Sequence, residues 1–158
     1  MDFLRLVDYL HVELIRGNDL GHEFLRSRVE AAGARADMSN AEIHRAMRPY
    51  AAEIAGWALR RIVTLTRERG IRPIFVLIPM PLDGALMDDA PMLLDLARDA
   101  GFEVIDLSDV YAGRDERALT VADWDRHPNA EGHRAIAGHL YEELARLPGL
   151  LDQPGATR

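Results

Sequence analysis

No cysteine occurs among the 158 residues, which excludes disulfides, thiolate metal sites and a cysteine nucleophile. The compartment stays open on that ground alone. A secretory leader needs a basic start and an uninterrupted apolar run of about 7–15 residues. The N-terminal MDFLRLVDYLHVELIRG is instead broken by Asp2, Arg5, Asp8, His11 and Glu13. No stretch approaches the roughly 20 apolar residues of a membrane helix. The chain as written is therefore expected to be soluble and cytoplasmic, with no membrane partner. Positive charge is also short: 19 basic residues stand against 26 acidic ones, for a net charge of −7. With the basic residues scattered, that balance argues against nucleic acid or anionic lipid as the main partner. Internal repeats and low-complexity tracts are absent.

What is present describes an ordinary globular chain, 48% hydrophobic and 28% charged. The length suits one domain, or part of one, of about 100–200 residues. Phe3, Val7, Leu10 and Leu14 recur at helical spacing over 2–16, although Leu10, Val12 and Leu14 also alternate like a strand. Gly17-Asn18-Asp19 breaks the chain, and a second helix is expected over 20–32, ended by Gly33. Ser39-Asn40-Ala41-Glu42 fits a capping box, in which each side chain satisfies a free backbone N–H. Pro49 cannot sit inside a helix without a kink. A short helix to about 47 and a long one over 49–69 follow, the latter burying Ala51, Ile54, Ala55, Ala58, Ile62 and Leu65.

Ile74-Phe75-Val76-Leu77-Ile78 is a continuous apolar run closed by Pro79 and Pro81, as in parallel strands covered on both faces. Asp88, Asp89 and Pro91 open a helix that Gly101 stops, and Val104-Ile105-Asp106-Leu107 is a second strand. This is one β-α-β unit. A polar loop over 108–128 leads to a last helix with Ile136, Ala137, Leu140, Leu144 and Leu147 on one face, ended by Pro148-Gly149. Two parallel strands alone are marginal, and strand 74–78 is left with an unpaired apolar edge, an association hazard. A strand near 9–15, a second copy of this chain, or sequence beyond it is expected to fill that edge.

The chemistry concentrates in Asp123-Trp124-Asp125-Arg126-His127-Pro128-Asn129-Ala130-Glu131-Gly132-His133. The segment follows the second strand, and open α/β sheets bind ligands at the carboxyl ends of their strands. Pro128 biases His127 toward an extended backbone. Residues two apart then share a side, so Asp125 can reach Nδ1 of His127 and leave Nε2 free as a base. Asn129 is a good helix N-cap, and Gly132 permits close packing. His133 is expected to pack at the start of the apolar stripe, and Trp57 and Trp124 to be core and loop packing. No zinc spacing is matched. His11, His22, His44 and His139 read as surface residues, and Arg60, Arg61, Arg67 and Arg69 as a solvated face.

The run resembles the last sequence block of the SGNH/GDSL hydrolase family: an acidic residue, His-Pro-Asn, Gly-His, then an apolar helix. Asp125, His127-Pro128-Asn129, Gly132-His133 and Ile136-Ala137 stand in those places. The likeness spans about 50–147 and is strongest over 123–137. It implies an α/β fold with incomplete flavodoxin-like α/β/α layers, rich in helix, with at least two parallel strands near 73–78 and 103–107. The domain plan is then a helical segment over 1–38, the C-terminal part of a hydrolase-like domain over 39–147, and a frayed tail over 148–158.

The resemblance also implies a Ser-Asp-His triad acting on esters or transferring acyl groups, with His127 as base and Asp125 as its carboxylate. Two departures follow. The common spacing is Asp-x-x-His, and Trp124 occupies that position; the Asp-x-His form resembles the alginate-acetyltransferase-like branch, with Asp123 the alternative acid. The family's Gly-Asp-Ser block is missing, and Ser27, Ser39 and Ser108 are the only serines. None has the elbow glycines of an activated nucleophile. Gly17-Asn18-Asp19 is a faint echo of the family's Gly-x-Asn-Asp oxyanion block, or else a helix cap. The expected function is therefore the C-terminal part of an esterase or acyltransferase without its serine, inactive alone, using no cofactor or metal. Its substrate would be a small ester or O-acetylated saccharide, and its partner a complementing N-terminal half or a second copy through strand 74–78. The alternative is a non-catalytic, self-associating α/β module.

Overall fold

The computed structural model describes residues 12–14, 16–18, 20–82 and 89–150. Residues 2–11, Asp19, Asp88 and the tail beyond 150 lie outside them. The chain divides into two compact units, residues 1–65 and 66–158. The sequence places a boundary near 38, but the side chains on either side of that point share one core.

In the first unit residues 12–14 are helical, not extended. Gly17 ends this helix. Its φ of +66° lets its N–H reach the Leu14 carbonyl while the Asn18 N–H reaches that of Glu13. The same pair of bonds recurs at Gly33, Gly70 and Gly101. Helix α1 spans Glu23–Ala31, α2 spans Asn40–Met47 and α3 spans Ala51–Arg67. The capping box forms as the sequence predicts. Glu42 N–H donates to the Ser39 hydroxyl, and the Glu42 carboxylate accepts from the Ser39 N–H at 2.8 Å. Pro49 falls in a single 3-10 turn, Arg48–Tyr50, that separates α2 from α3. Leu25, Val29, Ala34, Ile43, Met47 and Ile54 form the core, with Trp57 stacked on Phe24 at its edge.

The predicted stripe on α3 is only partly right. Ile54 is fully buried, but Ile62 is 42% exposed, while Gly56, Leu59 and Val63 are buried instead. At about 100° per residue, Leu59 and Val63 lie on nearly the opposite side of the helix from Ile54. A helix buried on two sides carries no single stripe.

In the second unit β1 (Ile74–Leu77) and β2 (Glu103–Asp106) pair in parallel, with Ile74 opposite Glu103 and Leu77 opposite Asp106. Helix α4 (Ala90–Ala100) connects them, completing the β-α-β unit. Among the described residues no third strand joins β1. Its four side chains are half-buried rather than covered on both faces. The Arg72 guanidinium grips the Glu103 carboxylate and donates to the Pro148 carbonyl at 2.7 Å, tying the starts of β1 and β2 to the chain end of the last helix.

The expected polar loop over 108–128 contains structure. After a 3-10 turn, Glu116–Leu119, strands β3 (Thr120–Ala122) and β4 (Asp125–Pro128) form an antiparallel pair. They escape sequence reading because they are three and four residues long, their turn lacks glycine, and Pro128 argues against a strand. A proline is tolerated at such an edge. Helix α5 (Ala130–Arg146) follows. Ile105, Leu107, Val110, Tyr111, Leu119 and Ile136 form this unit's core, and Leu140, Leu144 and Leu147 lean on it. Ala137 is exposed and Ala135 takes its place, because the buried line runs through Gly132 and Ile136. Among the described residues no helix is long and apolar enough to cross a membrane.

Candidate active site

Local backbone chemistry builds the site. Asp115 caps the 3-10 turn by accepting the Arg117 N–H, and Thr120 Oγ1 closes it on the Arg117 carbonyl. The chain then enters β3, turns at Asp123-Trp124 and returns as β4, with Ala122 opposite Asp125 and Thr120 opposite Pro128. Alternate residues of a strand project to one face, and Asp125 and His127 do so here. Asp125 Oδ1 accepts the His127 backbone N–H at 3.0 Å and meets His127 Nδ1 at 2.6 Å.

Because an ionised carboxylate only accepts, that contact makes Nδ1 a proton-bearing nitrogen, so that in the neutral ring it is Nε2 that carries the lone pair. The His127 side chain is 73% exposed and that of Asp125 26%. The His127 backbone N–H, and then its ring, hold the Asp125 carboxyl below the usual aspartate range. Asp125 is thus an oriented, ionised partner to an accessible imidazole. Asp123 lies in the turn, and it is the carboxylate of Asp125 that meets the ring.

Asn129 joins the surrounding pieces. Its Oδ1 accepts from Glu131 and Gly132 N–H as the α5 cap, and its Nδ2 donates to the carbonyls of Ala118 and Thr120. Its own N–H donates to the Leu119 carbonyl at 2.8 Å. Gly132 packs so closely that an added Cβ would stand 2.9 Å from Pro128 Cβ.

Two expectations about neighbours are overturned. Trp124 is 86% exposed rather than packed, since it is the second of two turn residues and points off the hairpin end. His133 is exposed rather than buried, because it sits beside the Gly132–Ile136 line and not on it. His22 and His139 are exposed as expected, while Trp57 packs on the first core.

The three serines have local surroundings of their own. Ser27 Oγ donates to the Phe24 carbonyl, Ser39 is committed to the capping box, and Ser108 lies exposed in a turn closed by Asp106. Asn18 donates its side-chain amide to Glu13 and follows the glycine of a helix cap, so the echo of an oxyanion block resolves to the cap. Among the described residues no three His, Asp or Glu side chains gather as metal ligands.

Sequence reasoning missed a second feature of the hairpin. Leu82, beyond the end of β1, gives its N–H to the Glu116 carboxylate at 2.6 Å, and Arg126 of β4 stands at its carbonyl. No family model, curated protein or solved structure matches the chain.

Proposed function

We propose that this chain carries the base and acid of an SGNH/GDSL-type esterase or acyltransferase, on the C-terminal part of a flavodoxin-like α/β/α layer fold. The support is the 2.6 Å contact between Asp125 Oδ1 and His127 Nδ1, inside a sequence block that resembles that family's. In this reading His127 Nε2 takes the proton of a hydroxyl nucleophile as it attacks an ester carbonyl. Asp125 keeps the Nδ1 proton and stabilises the imidazolium that forms, and His127 then protonates the leaving oxygen. The substrate is a small ester or O-acetylated saccharide. The nucleophilic serine comes from a complementing N-terminal half.

Mixing experiments test this. The chain alone is expected to leave a short-chain aryl ester intact. A mixture with a segment bearing a Gly-Asp-Ser block, taken from the sequence encoded immediately upstream, should hydrolyse it. His127→Ala in the mixture should lower the rate about 10²–10⁴-fold, the contribution of a positioned general base. Turnover indifferent to His127→Ala would sink the reading.

A second reading, a non-catalytic module that pairs with its own copy, is favoured by one observation. β1 has a strand on one side only among the described residues, and Ile71 and Ile78 at its ends are exposed. Light scattering after size exclusion separates the two, since this reading requires a stable dimer with no esterase activity in any mixture.

A further inference from the structure

Trp124 is more exposed than any other large hydrophobic side chain among the described residues, at 86%. Tryptophan is ordinarily well buried, and covering an aromatic side chain withdraws about 150–250 Å² from water. Val121, in the other strand of the same hairpin, is 55% exposed. The core of the second unit takes Leu119 from the approach to this hairpin, but neither Val121 nor Trp124. Packing therefore gives no account of an indole at this turn.

Its neighbours along the chain define the chemistry around it. Trp124 is bonded directly to Asp125, whose carboxylate meets the His127 ring at 2.6 Å. On its other side stands Asp123, exposed, its carboxylate without a hydrogen bond or ion pair among the described residues. The hairpin's one guanidinium, that of Arg126, stands 3.5 Å from the Leu82 carbonyl oxygen. The end of the hairpin thus sets a flat apolar surface beside an unused acceptor, with negative charge in excess. An anionic ligand is repelled there. A neutral sugar ring suits it, with its C–H face on the indole and a hydroxyl donating to Asp123. Trp124 and His127 are three residues apart, about 10 Å at the rise of an extended chain. A small ester does not reach from one to the other, whereas linked sugar rings do.

We propose that Trp124 and Asp123 form a saccharide subsite beside the dyad. Its occupant is a neutral oligosaccharide chain that carries the O-acyl group. The acylated ring lies at His127, and another ring of the same chain stacks on Trp124 and donates a hydroxyl to Asp123. Trp124 is in this sense the residue that selects an acylated saccharide over a small ester, a role that rests on the reading of the dyad given above. The indole takes no part in the core, so replacing it removes the subsite and leaves the fold intact.

Titration of the full chain with O-acetylated xylotetraose tests the subsite without requiring turnover. Tryptophan emission is expected to move to shorter wavelength and saturate as the indole leaves water. Trp124→Ala should abolish that shift and weaken the affinity measured by calorimetry about tenfold. Trp124→Tyr, which keeps an aromatic face, should recover most of the affinity, and Asp123→Ala should weaken it. An O-acetylated oligoglucuronate of the same length should bind less tightly than the tetraose at low salt. Absence of saturable binding, or equal affinity with and without the indole, overturns the subsite. Tighter binding of acetylcholine, a small cationic ester, than of the tetraose overturns it as well. Each of these results leaves the base and acid standing where the mixing experiment responds to His127→Ala. Binding that depends on Trp124, in a chain whose mixtures hydrolyse no ester, has the opposite meaning.

Discussion

At Gly132 a methyl group would stand 2.9 Å from Pro128 Cβ and 3.0 Å from the Leu119 carbonyl oxygen, inside ordinary packing distance. Both neighbours are themselves fixed, Leu119 by the Asn129 N–H and Pro128 by its own ring. Neither can retreat cheaply. Gly138, nearly two turns along the same helix, has nothing within 4 Å of the place a methyl group would take. The two glycines should therefore respond oppositely to one substitution. Gly132→Ala is expected to destabilise by about 1–3 kcal/mol through overpacking. Gly138→Ala should stabilise by up to about 1 kcal/mol, since alanine is the better helix former at an exposed interior position. Urea denaturation of both variants measures the difference, and a stabilising Gly132→Ala would show that α5 does not press on Pro128. Within the block, then, Asp125 and His127 pair with each other, whereas Pro128, Asn129 and Gly132 hold the hairpin against the helix.

At the scale of elements, α2 rests on reciprocal bonds between Ser39 and Glu42. Ser39→Ala removes the hydroxyl acceptor of the Glu42 N–H and should lower stability by about 1 kcal/mol, read as a drop in the thermal midpoint. Ser39→Asp, which keeps an acceptor, should recover most of it. This element was legible because a cap is a local pattern: Ser39, Glu42 and the break at Pro49 lie close together in the chain and need no distant partner. The β-α-β unit was legible for a similar reason, since residues 74–78 and 104–107 are short, mainly apolar runs with helix signals between them. The pairing of Asp125 with His127 could be read because extended backbone alone brings side chains two apart to one face. The hairpin as a whole could not. Thr120–Ala122 is too short to show alternation, and Asp123-Trp124 is not a glycine turn. The exposure of Trp124 follows from that turn and was hidden with it. The buried sides of α3 depend on what packs around it, and the bond made by the Leu82 N–H on a carboxylate 34 residues away. Neither leaves a local mark.

At the scale of the whole molecule, four carboxyls among the described residues are held below their ordinary range, and they are spread over both units. A hydrogen bond from Arg35 lowers Asp37, the Ser39 hydroxyl lowers Glu42, the Arg72 guanidinium lowers Glu103, and the His127 N–H lowers Asp125. Each interaction is exposed and individually modest, but all have the same sign. A carboxyl whose folded pKa lies below its unfolded value, about 3.9 for Asp and 4.3 for Glu, stabilises the fold above that unfolded value. The contribution is lost as pH falls through the lower, folded pKa. The thermal midpoint is therefore expected to stay nearly level from pH 7 to about 5 and to decline steadily below about 4. Fluorescence can follow the first unit through Trp57, which packs on its core, while Trp124 is largely in water in either state. Glu103→Gln should lower the midpoint at pH 7 and flatten the decline below pH 4, because the amide keeps a weaker bond to Arg72 and has no proton to gain. A midpoint that rises on acidification would mean that the folded chain binds more protons there than the unfolded one. These four carboxyls act in the opposite sense, so other groups would have to outweigh them.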